Sequence, residues 1–451
     1  GYEYWPITRA DLDPHYDAVE EMLNAQTYPF HVAPYSGTAK TQAMRDAAAT
    51  LGLEWQLPKL AVTFANKDRP PVLGECIEGE PANLHRATRT TCRLCGECDI
   101  GCNYGAKNTL DYNYLSRAQA HGAVIQTLCE VKRIDPDPRG GYTVNYLRHD
   151  PAGGPGSVQS YEAVHADKLI LAAGTFGSPY LLLRNRAAFP ALSPALGTHF
   201  SGNGDLLTFI EHARGADGQP RSLDPSIGPV ITSAIRVADE LDGVGVHGRG
   251  FYVEDGGNPA FLDYLEGVST APSIGLRGAS FVLRRAWAHA RGNPRSNYSA
   301  QVSSVFGGGK KSPPALPLLT MGRDVPDGVM SLRDGDLELN WTTHSSDSYF
   351  NRVETTVARI AHALGGRYMN TPLWLFKRVV TVHPLGGCPM GRNRSEGVVD
   401  PFGQLFGYPG LYVADGSVMP GPVGPNPSLT IAAFADRLAT AILSEKGGTH
   451  P

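Results

Sequence analysis

The sequence contains, near its carboxyl end, the motifs HPLGG (383–387), LYVADG (411–416) and NPSLTI (426–431). The middle motif is a short apolar run that ends in an acid and a glycine, which is typical of a buried parallel strand. An Asp-Gly pair at the carboxyl end of such a strand can bind the hydroxyls of a nucleotide-like cofactor. The motifs therefore predict a cofactor-binding unit at this end of the chain.

The third motif is expected to open a helix. Residues 419–425 hold three prolines and two glycines, so they form a loop. Asn426 can then act as the N-cap of a helix whose first residue is Pro427. The start of that helix presents free N–H groups and a partial positive charge, which suits the anionic edge of a reduced flavin.

On these motifs the sequence resembles the glucose–methanol–choline (GMC) oxidoreductases, especially their cholesterol oxidase-like branch. Two further stretches match the family, Gly101–Leu115 and Leu169–Leu183. The resemblance extends from Trp5 to Leu443 and is weakest between residues 205 and 320. It implies a mixed α/β (α+β) fold. One part is an FAD-binding domain of the GMC and glutathione reductase-like type, and the other is a substrate domain with a mostly antiparallel sheet and covering helices.

The resemblance also implies a division of the chain. Residues 1–201 are expected to form the FAD-binding domain with cover helices and a cysteine-rich segment. Residues 202–380 would form the substrate-binding domain, and residues 381–451 the catalytic histidine segment with the last FAD-binding part. In this family a Rossmann unit with G-x-G-x-x-G precedes the equivalent of Trp5, whereas this sequence starts at Gly1 without one. We therefore expect the FAD-binding domain to be incomplete at its amino-terminal end, and a separate chain could carry the missing unit.

One stretch matches the dinucleotide fingerprint by its letters alone. Gly243–Gly248 reads GVGVHG, but a polar segment precedes it and Arg249–Glu254 alternates like a strand. The fingerprint requires a strand before it and a helix after it. This stretch is therefore predicted to be a glycine-rich turn.

Composition excludes several classes of protein. The chain has 451 residues, 41% of them hydrophobic and 19% charged, which indicates an ordinary globular protein with a large core. The net charge of −4 gives no general attraction to nucleic acid or to anionic membranes. No apolar run reaches transmembrane length. The partners implied by the resemblance are a small-molecule alcohol and an electron acceptor, either oxygen or a redox carrier.

The resemblance assigns the chemistry to His383 and Asn426. Oxidation of an alcohol by a flavin transfers a hydride to flavin N5 and a proton to a base, for which histidine is well suited. His383 lies in the family motif and would be that base. Asn426 matches the position that fixes the substrate oxygen, and the alternative is a purely structural N-cap. Asparagine at this position favours the sterol-like branch and therefore a bulky apolar secondary alcohol.

One departure argues against isomerase activity and against cholesterol itself as the substrate. Cholesterol oxidases that also isomerise the steroid double bond use a glutamate of the substrate domain. A rough alignment puts that position within Lys311–Leu319, where the sequence has no acid.

Cofactor contacts are likewise implied by the resemblance. Lys168–Ala173 is predicted to be a buried strand that breaks at Gly174, followed by a short helix from Tyr180 to Asn185 with Ser178 and Pro179 at its start. The expected FAD contacts are the backbone of Val131 at the adenine, Gly174 and Thr175 at the turn, Asp415 and Gly416 at the ribityl or phosphate groups, and Pro427 and Leu429 under the flavin ring. For Val131 the alternative is that it is only strand core.

A second candidate site is the tract Cys92-x2-Cys95-x2-Cys98-x3-Cys102, which has the spacing of a bacterial iron–sulfur motif. Two features weaken this interpretation. Asn103 replaces the proline expected after the last cysteine, and no second tract exists for the cluster that a fourth cysteine usually serves. The alternative is a reduced or disulfide-bonded turn.

Three functions follow from these motifs. The first is an FAD-dependent oxidoreductase acting on the CH–OH group of an alcohol. The second is a dehydrogenase of a sugar or other alcohol that relays electrons through a cysteine-ligated iron–sulfur cluster. The third is an incomplete, non-catalytic subunit that needs a separate Rossmann half.

Local patterns complete the secondary-structure prediction. A β-meander is expected from strands at 123–131, 142–147 and 161–165, a hairpin around Asp334-Gly335, and a helix ended by Gly365-Gly366. Phe261–Arg295 is interpreted as a lid or a surface insertion, and Gly307–Lys311 as a flexible loop.

Overall fold

The computed structural model describes residues 2–80, 82–153, 157–258 and 315–445. The predicted lid or insertion at 261–295 and the loop at 307–311 lie outside the described residues. The described helices are α1 (Arg9–Met22), α2 (Ala39–Leu51), α3 (Tyr114–Ala120), α4 (Gly174–Arg184), α5 (Asp347–Ala363) and α6 (Ser428–Glu445).

The described strands are β1 (Gln26–Thr27), β2 (Glu54–Gln56), β3 (Lys59–Leu60), β4 (Cys129–Pro136), β5 (Tyr142–His149), β6 (Val158–Ala166), β7 (Leu169–Leu171), β8 (Leu206–Glu211), β9 (Ala234–Val237), β10 (Phe251–Asp255), β11 (Leu316–Gly322), β12 (Val329–Arg333), β13 (Asp336–Asn340), β14 (Arg367–Asn370) and β15 (Leu411–Val413).

The largest sheet is antiparallel throughout, with the strand order β14-β8-β11-β10-β9-β2. Helices α2 and α5 cover it. Helix α5 buries Phe350, Val353, Val357 and Ile360, which recur at helical spacing, and the backbone turns away at Gly365 (φ +60°). The predicted antiparallel sheet with covering helices is therefore confirmed.

A parallel strand pair forms the centre of the second hydrophobic core. Strand β15 pairs with β7 in parallel, Leu411 with Leu169 and Val413 with Leu171, as the sequence of the second motif predicted. Helix α4 follows β7, and α6 packs with α1 around the same core. Strand β15 ends at Val413, two residues before Asp415, so that acid lies just past the carboxyl end of the parallel pair.

Strands β4 to β6 form the predicted antiparallel meander, although β4 runs from Cys129 to Pro136 and not over 123–131, and β12 and β13 form the predicted hairpin. The glycine-rich stretch at 243–248 is a turn that leads into β10, with Gly243, Gly245 and Gly248 all at positive φ. Its interpretation as a turn is confirmed.

Two helix starts were predicted wrongly. Helix α4 begins at Gly174 and not at Tyr180, because the Ser178 side chain accepts a hydrogen bond from the Ala173 N–H (3.1 Å) instead of capping a later helix. Helix α6 begins at Ser428 and not at Pro427: the carbonyl of Pro427 accepts the N–H of Ile431 (2.9 Å), which makes it the residue just before the helix.

The division of the chain at residues 201 and 380 stays a prediction. Helix α2 and strand β2 precede residue 201, yet they pack with the large sheet and its core. None of the described helices is long and apolar enough to cross a membrane.

Candidate active site

The His383 motif lies between two other backbone segments. Ser201 and Leu385 form an antiparallel bridge, and the N–H of Gly387 donates to the carbonyl of Thr198 (2.9 Å). On the other side, the N–H of Gly386 donates to the carbonyl of Gly416 (3.0 Å). The motif is therefore hydrogen-bonded both to the residues that lead into β8 and to the residues that follow β15.

Both glycines of the motif are required by this close packing. Gly386 has φ +85°, and a Cβ there would lie 2.0 Å from the carbonyl oxygen of His199. Gly387 has φ +104°, and a Cβ there would lie 2.7 Å from the side chain of Pro179. A side chain at either position would push the turn that carries His383 away from its neighbours.

A buried carboxylate orients the imidazole of His383. The Nδ1 atom of His383 lies 2.9 Å from Oδ1 of Asp205, whose side chain is fully buried. The other oxygen of Asp205 accepts the N–H of Val382 (2.8 Å), and the N–H of His383 donates to the hydroxyl of Thr381 (3.0 Å). Since Asp205 accepts at Nδ1, the neutral ring carries its hydrogen there and keeps Nε2 as an acceptor.

A second acid holds Asn426. Its Nδ2 donates to Oε1 of Glu254 (2.7 Å), although Asn426 itself is exposed. Glu254 is only 3% exposed, and burial, with a smaller contribution from the neighbouring Asp255, raises its pKa to about 8. Its Oε2 atom has no hydrogen-bond partner among the described residues. This bond joins Asn426 to a distant strand of the same chain, and Pro427, not Asn426, is the residue just before α6.

The two acids project from the same face of the large sheet. Leu207 of β8, Leu319 of β11 and Glu254 of β10 are directly opposite one another in register. Asp205 precedes Leu207 by two residues, so its side chain points to the same side. The charge of Asp205 also contributes to the raised pKa of Glu254. His383 and Asn426 are thus held by one sheet face.

Asn203 fixes the loop that leads to Asn426. Its Oδ1 accepts the N–H of Gly424 (3.0 Å), and its Nδ2 donates to the carbonyl of Pro425 (3.1 Å). Asn203 lies two residues before Asp205 and is fully buried. One short segment therefore positions both the His383 side chain and the loop before α6.

The predicted cofactor residues after β7 and β15 contact one another. The carboxylate of Asp415 accepts from the N–H of Gly174 (2.9 Å), the hydroxyl of Ser178, and both the N–H (2.8 Å) and the hydroxyl of Ser417. The hydroxyl of Thr175 donates to the carbonyl of Pro384 (2.6 Å), in the His383 motif. These bonds use the acceptor capacity of Asp415, so its direct contact with the cofactor stays a prediction.

The remaining predicted FAD contacts are more widely spread. Gly416 lies against Thr175, whose Oγ1 would be 3.0 Å from an added Cβ. Pro427 is buried and Leu429 half-buried at the start of α6. Val131 lies at a bulge in β4 and packs against the core around β15, so both the adenine contact and the structural alternative remain possible interpretations.

The four cysteines of the predicted iron–sulfur tract line a single gap in the protein. They are free thiols, and the disulfide-bonded alternative is not what the structure shows. In the part of the chain that the structure describes, no three His, Cys, Asp or Glu side chains are arranged to share a single metal ion.

Sequence reasoning missed Asp205, Glu254 and Asn203. None of them belongs to a local motif, and each becomes recognisable only through its partner in the fold. The stretch 311–319 contains no acid, and Glu254, a buried acid of the neighbouring strand β10, lies opposite Leu319.

Comparison with known proteins gives a consistent result. The amino-terminal family model described as GMC oxidoreductase matches residues 5–200, and the carboxyl-terminal model of the same description matches residues 330–435. Nothing in the matches supports a separate chain for the amino-terminal unit.

Curated relatives include a cholesterol oxidase of Mycobacterium tuberculosis (strain CDC 1551 / Oshkosh), which is 28% identical over 98% of this chain and 73% of its own length. A cholesterol oxidase of Acinetobacter baumannii is 26% identical over 78% of this chain and 61% of its own length. Among solved structures, pyridoxine 4-oxidase from Mesorbium loti matches with a TM-score of 0.50 and 16% identity, covering 94% of this chain and 72% of that one. This last match supports the fold alone.

Proposed function

Because the chain belongs to the GMC oxidoreductase family and is thereby an FAD-dependent alcohol oxidoreductase, we propose that His383 is its catalytic base. The observation that carries this proposal is the bond between His383 Nδ1 and the buried Asp205 (2.9 Å). It leaves Nε2 free to accept the proton of a substrate hydroxyl. It also stabilises the imidazolium that forms when that proton arrives.

Asn426 is proposed to hold the substrate oxygen. One hydrogen of its amide is donated to Glu254 (2.7 Å), which fixes the orientation of the side chain. The second hydrogen of the same amide is then available for a substrate oxygen. Because Asn426 is exposed while Glu254 is buried, the amide is the part of this pair that a substrate can reach.

FAD supplies the hydride acceptor when it is bound, and the residues present fit such a group. Gly174 ends the β7 turn at φ +78°, and no atom lies within 4 Å of the position that a Cβ would occupy. The first turn of the 18-residue helix α6 presents N–H groups without intrahelical partners. We place Gly174, Thr175 and Gly416 beside the cofactor, with Pro427 and Leu429 near the ring and Val131 near the adenine. Asp415 contributes by holding Gly174 and Ser178 in place.

The proposed substrate is a bulky apolar secondary alcohol of the sterol-like class. Support comes from asparagine at position 426 and from the cholesterol oxidases of two bacteria among the relatives. The argument against isomerase activity depended on the absence of an acid near residue 319. Glu254, opposite Leu319 and bonded to Asn426, is an acid outside that stretch that we propose as a candidate for the same role.

The test compares His383→Gln with the original chain in preparations that contain FAD. Anaerobic mixing with a sterol or another secondary alcohol should bleach the oxidised flavin in the original chain. In the variant the rate should fall by about 10²–10⁴-fold, the usual contribution of a general base, while bound FAD is retained. His31→Gln is the control, because His31 is exposed. Bleaching at the original rate in FAD-loaded His383→Gln would contradict the proposal.

A further inference from the structure

Cys92, Cys95, Cys98 and Cys102 surround an enclosed gap beside the large sheet. The gap is small, with a cavity volume of about 10 Å³, and Val62, Lys107 and Gly228 complete part of its lining. All four cysteines are free, including Cys92, which is only 6% exposed. Four free thiols therefore line one small gap.

The backbone around these cysteines is held in a fixed, tight shape. Gly96 has φ +69°, and a Cβ there would lie 2.8 Å from the carbonyl oxygen of Ser226. Leu94 also has positive φ (+60°), and its carbonyl accepts the N–H of Gly228 (3.1 Å). A bulky residue such as leucine rarely adopts this conformation unless the surrounding structure imposes it. The surrounding structure therefore holds the loop in a strained conformation, and this conformation brings Cys92 and Cys95 to the same gap.

Backbone N–H groups approach the sulfur atoms. The N–H of Leu94 donates to Sγ of Cys92 (3.4 Å). The backbone N–H groups of Glu97 and Val230 likewise donate toward the sulfurs of Cys95 and Cys98. Hydrogen bonds from backbone N–H groups to ligand sulfurs are among the features that stabilise and tune iron–sulfur clusters.

Positive charge lies next to the thiols. Lys107 lines the gap, and its ammonium donates to the carbonyl of Cys98 (3.1 Å). Arg93 also lines the gap and stacks on Tyr104, 4.3 Å from the ring centroid. These cations offset part of the negative charge that four thiolates bring to a metal site.

We propose that Cys92, Cys95, Cys98 and Cys102 bind one [4Fe–4S] cluster. Their spacing, C-x2-C-x2-C-x3-C, is that of a bacterial iron–sulfur motif. Elsewhere the fourth cysteine of this motif can serve a second cluster, but here Cys102 lines the same gap as the other three. A four-iron cluster also spans a wider set of thiols than one ion does, in agreement with the lack of a single-ion site among the described residues.

A cluster in so small a gap would be held by covalent bonds to the four sulfurs. Metal–thiolate bonds are much shorter than van der Waals contacts, about 2.3 Å for zinc. A bonded cluster consequently needs less room than an unbonded molecule of the same size. The proposal concerns binding and does not depend on the identity of the alcohol or on His383.

The test is anaerobic reconstitution of the full chain with ⁵⁷Fe(II), sulfide and a thiol reductant, followed by desalting. We expect about four iron and four sulfide ions per chain, the content of a [4Fe–4S] cluster, and a Mössbauer spectrum of that cluster. Flavin contributes nothing to either measurement. A reconstituted chain that retains no sulfide, or that retains one equivalent of iron or zinc, would overturn the proposal.

Matched variants separate the site from adventitious iron. Cys95→Ser and Cys102→Ser should each lower the bound sulfide by at least about 10-fold, because the cluster needs four thiolates. Cys129→Ser and Cys76→Ser should leave it unchanged, since neither cysteine lines the gap. Circular dichroism checks that each variant folds. If a variant does not fold, the iron and sulfide content of the reconstituted original chain tests the proposal by itself. Equal loss in the control variants would also overturn the proposal.

Discussion

At the scale of single residues, the candidate active site consists of two motif side chains, His383 and Asn426, and two buried acids that bond to them. Asp205 and His383 are 178 residues apart in the chain, and Glu254 and Asn426 are 172 apart. The sequence predicted His383 and Asn426 because each lies in a local motif. It could not predict their acid partners, because an isolated acid near a strand has no local pattern to distinguish it from a surface carboxylate.

The first prediction concerns the orientation of the imidazole. Asp205→Asn replaces the acceptor at Nδ1 by an amide that can present its NH₂ group and favour the other tautomer, with the hydrogen on Nε2. We expect the rate of flavin reduction to fall by about 10- to 10³-fold, a loss typical of removing a residue that orients a catalytic histidine. The rate is measured under single turnover as a function of pH.

Asp334→Asn is the matched control, since Asp334 lies exposed in the β12–β13 turn at φ +53°, where asparagine is well tolerated. An undiminished rate in Asp205→Asn, together with an unchanged pH profile, would mean that the carboxylate does not act on the imidazole.

The second prediction uses the pKa of Glu254. Its value rises from 4.5 to about 8 in the folded protein. The folded state therefore holds a proton that the unfolded state releases near pH 4.5, so the stabilising contribution is present below pH 4.5 and is lost as pH rises through 8. A pKa difference of one between the folded and unfolded states corresponds to about 1.4 kcal/mol of stability. Glu254→Gln should remove this dependence on pH. The free energy of unfolding of the variant minus that of the original chain should therefore rise by a few kcal/mol between pH 4.5 and pH 8.5.

Urea unfolding at several pH values measures this effect. Glu338→Gln serves as the control, because Glu338 is an exposed residue of β13. Parallel stability curves for Glu254→Gln and the original chain would show that Glu254 ionises normally in the fold.

At the scale of elements, periodicity predicted the interiors of helices and strands better than their ends. Helix α5 and the β12–β13 hairpin match the prediction because apolar spacing and an Asp-Gly turn define them locally. Helices α4 and α6 begin elsewhere because Ser178 and Asn426, which look like caps, bond to Asp415 and Glu254 instead. A capping residue can be recognised in a sequence, but a distant competitor for its side chain cannot.

The third prediction tests the close approach in the His383 turn. Gly386→Ala places a Cβ 2.0 Å from the carbonyl oxygen of His199 at φ +85°. Gly335→Ala has nearly the same backbone cost, at φ +88°, but nothing lies within 4 Å of its Cβ. We expect a loss of about 1–2 kcal/mol for Gly335→Ala from backbone strain alone. For Gly386→Ala the loss should be at least about 2 kcal/mol larger, from the overlap.

Thermal and urea unfolding of the two variants give the difference directly. Equal destabilisation would mean that the residues around His199 move aside without cost. A larger loss for Gly386→Ala, accompanied by slower flavin reduction, would show that the turn and the imidazole are positioned together.

At the scale of the whole molecule, residues 198–205 connect two of the three hydrophobic cores of the described residues, from Leu196 in one to Leu206 in the other. One core surrounds the parallel strands β7 and β15, and the other lies between the large sheet and helices α2 and α5. The family resemblance of the motifs gave the fold class correctly, but periodicity alone could not show that α2 and β2 join the second core. That assignment depends on pairing between β2 and β9, which are far apart in the chain.

The fourth prediction concerns Asn203, which lies in this segment. Asn203→Gly removes the amide that holds Gly424 and Pro425 but keeps a residue that accepts φ +53°. Two lost hydrogen bonds, one leaving a buried N–H unsatisfied, should cost about 2–4 kcal/mol. The substrate concentration for half-maximal rate should also rise, because the loop before Asn426 is released.

Asn203→Asp is the informative companion variant. It preserves the acceptor for the N–H of Gly424 but sets a buried carboxylate oxygen against the carbonyls of Pro425 and Gly424. We expect substrate affinity at least as low as in Asn203→Gly, measured by steady-state kinetics. Normal affinity in both variants would show that the loop keeps its place without Asn203.

The short segment from Asn203 to Asp205 has a practical consequence for redesign. It positions the His383 ring together with the loop that carries Asn426. A library that varies this segment would therefore mostly yield inactive clones. Diversity aimed at new alcohols is better placed on Tyr252 and Leu319, which share the sheet face of Glu254 but hold neither group. Directed evolution could then change the shape of the proposed substrate pocket while His383 and Asn426 keep their positions.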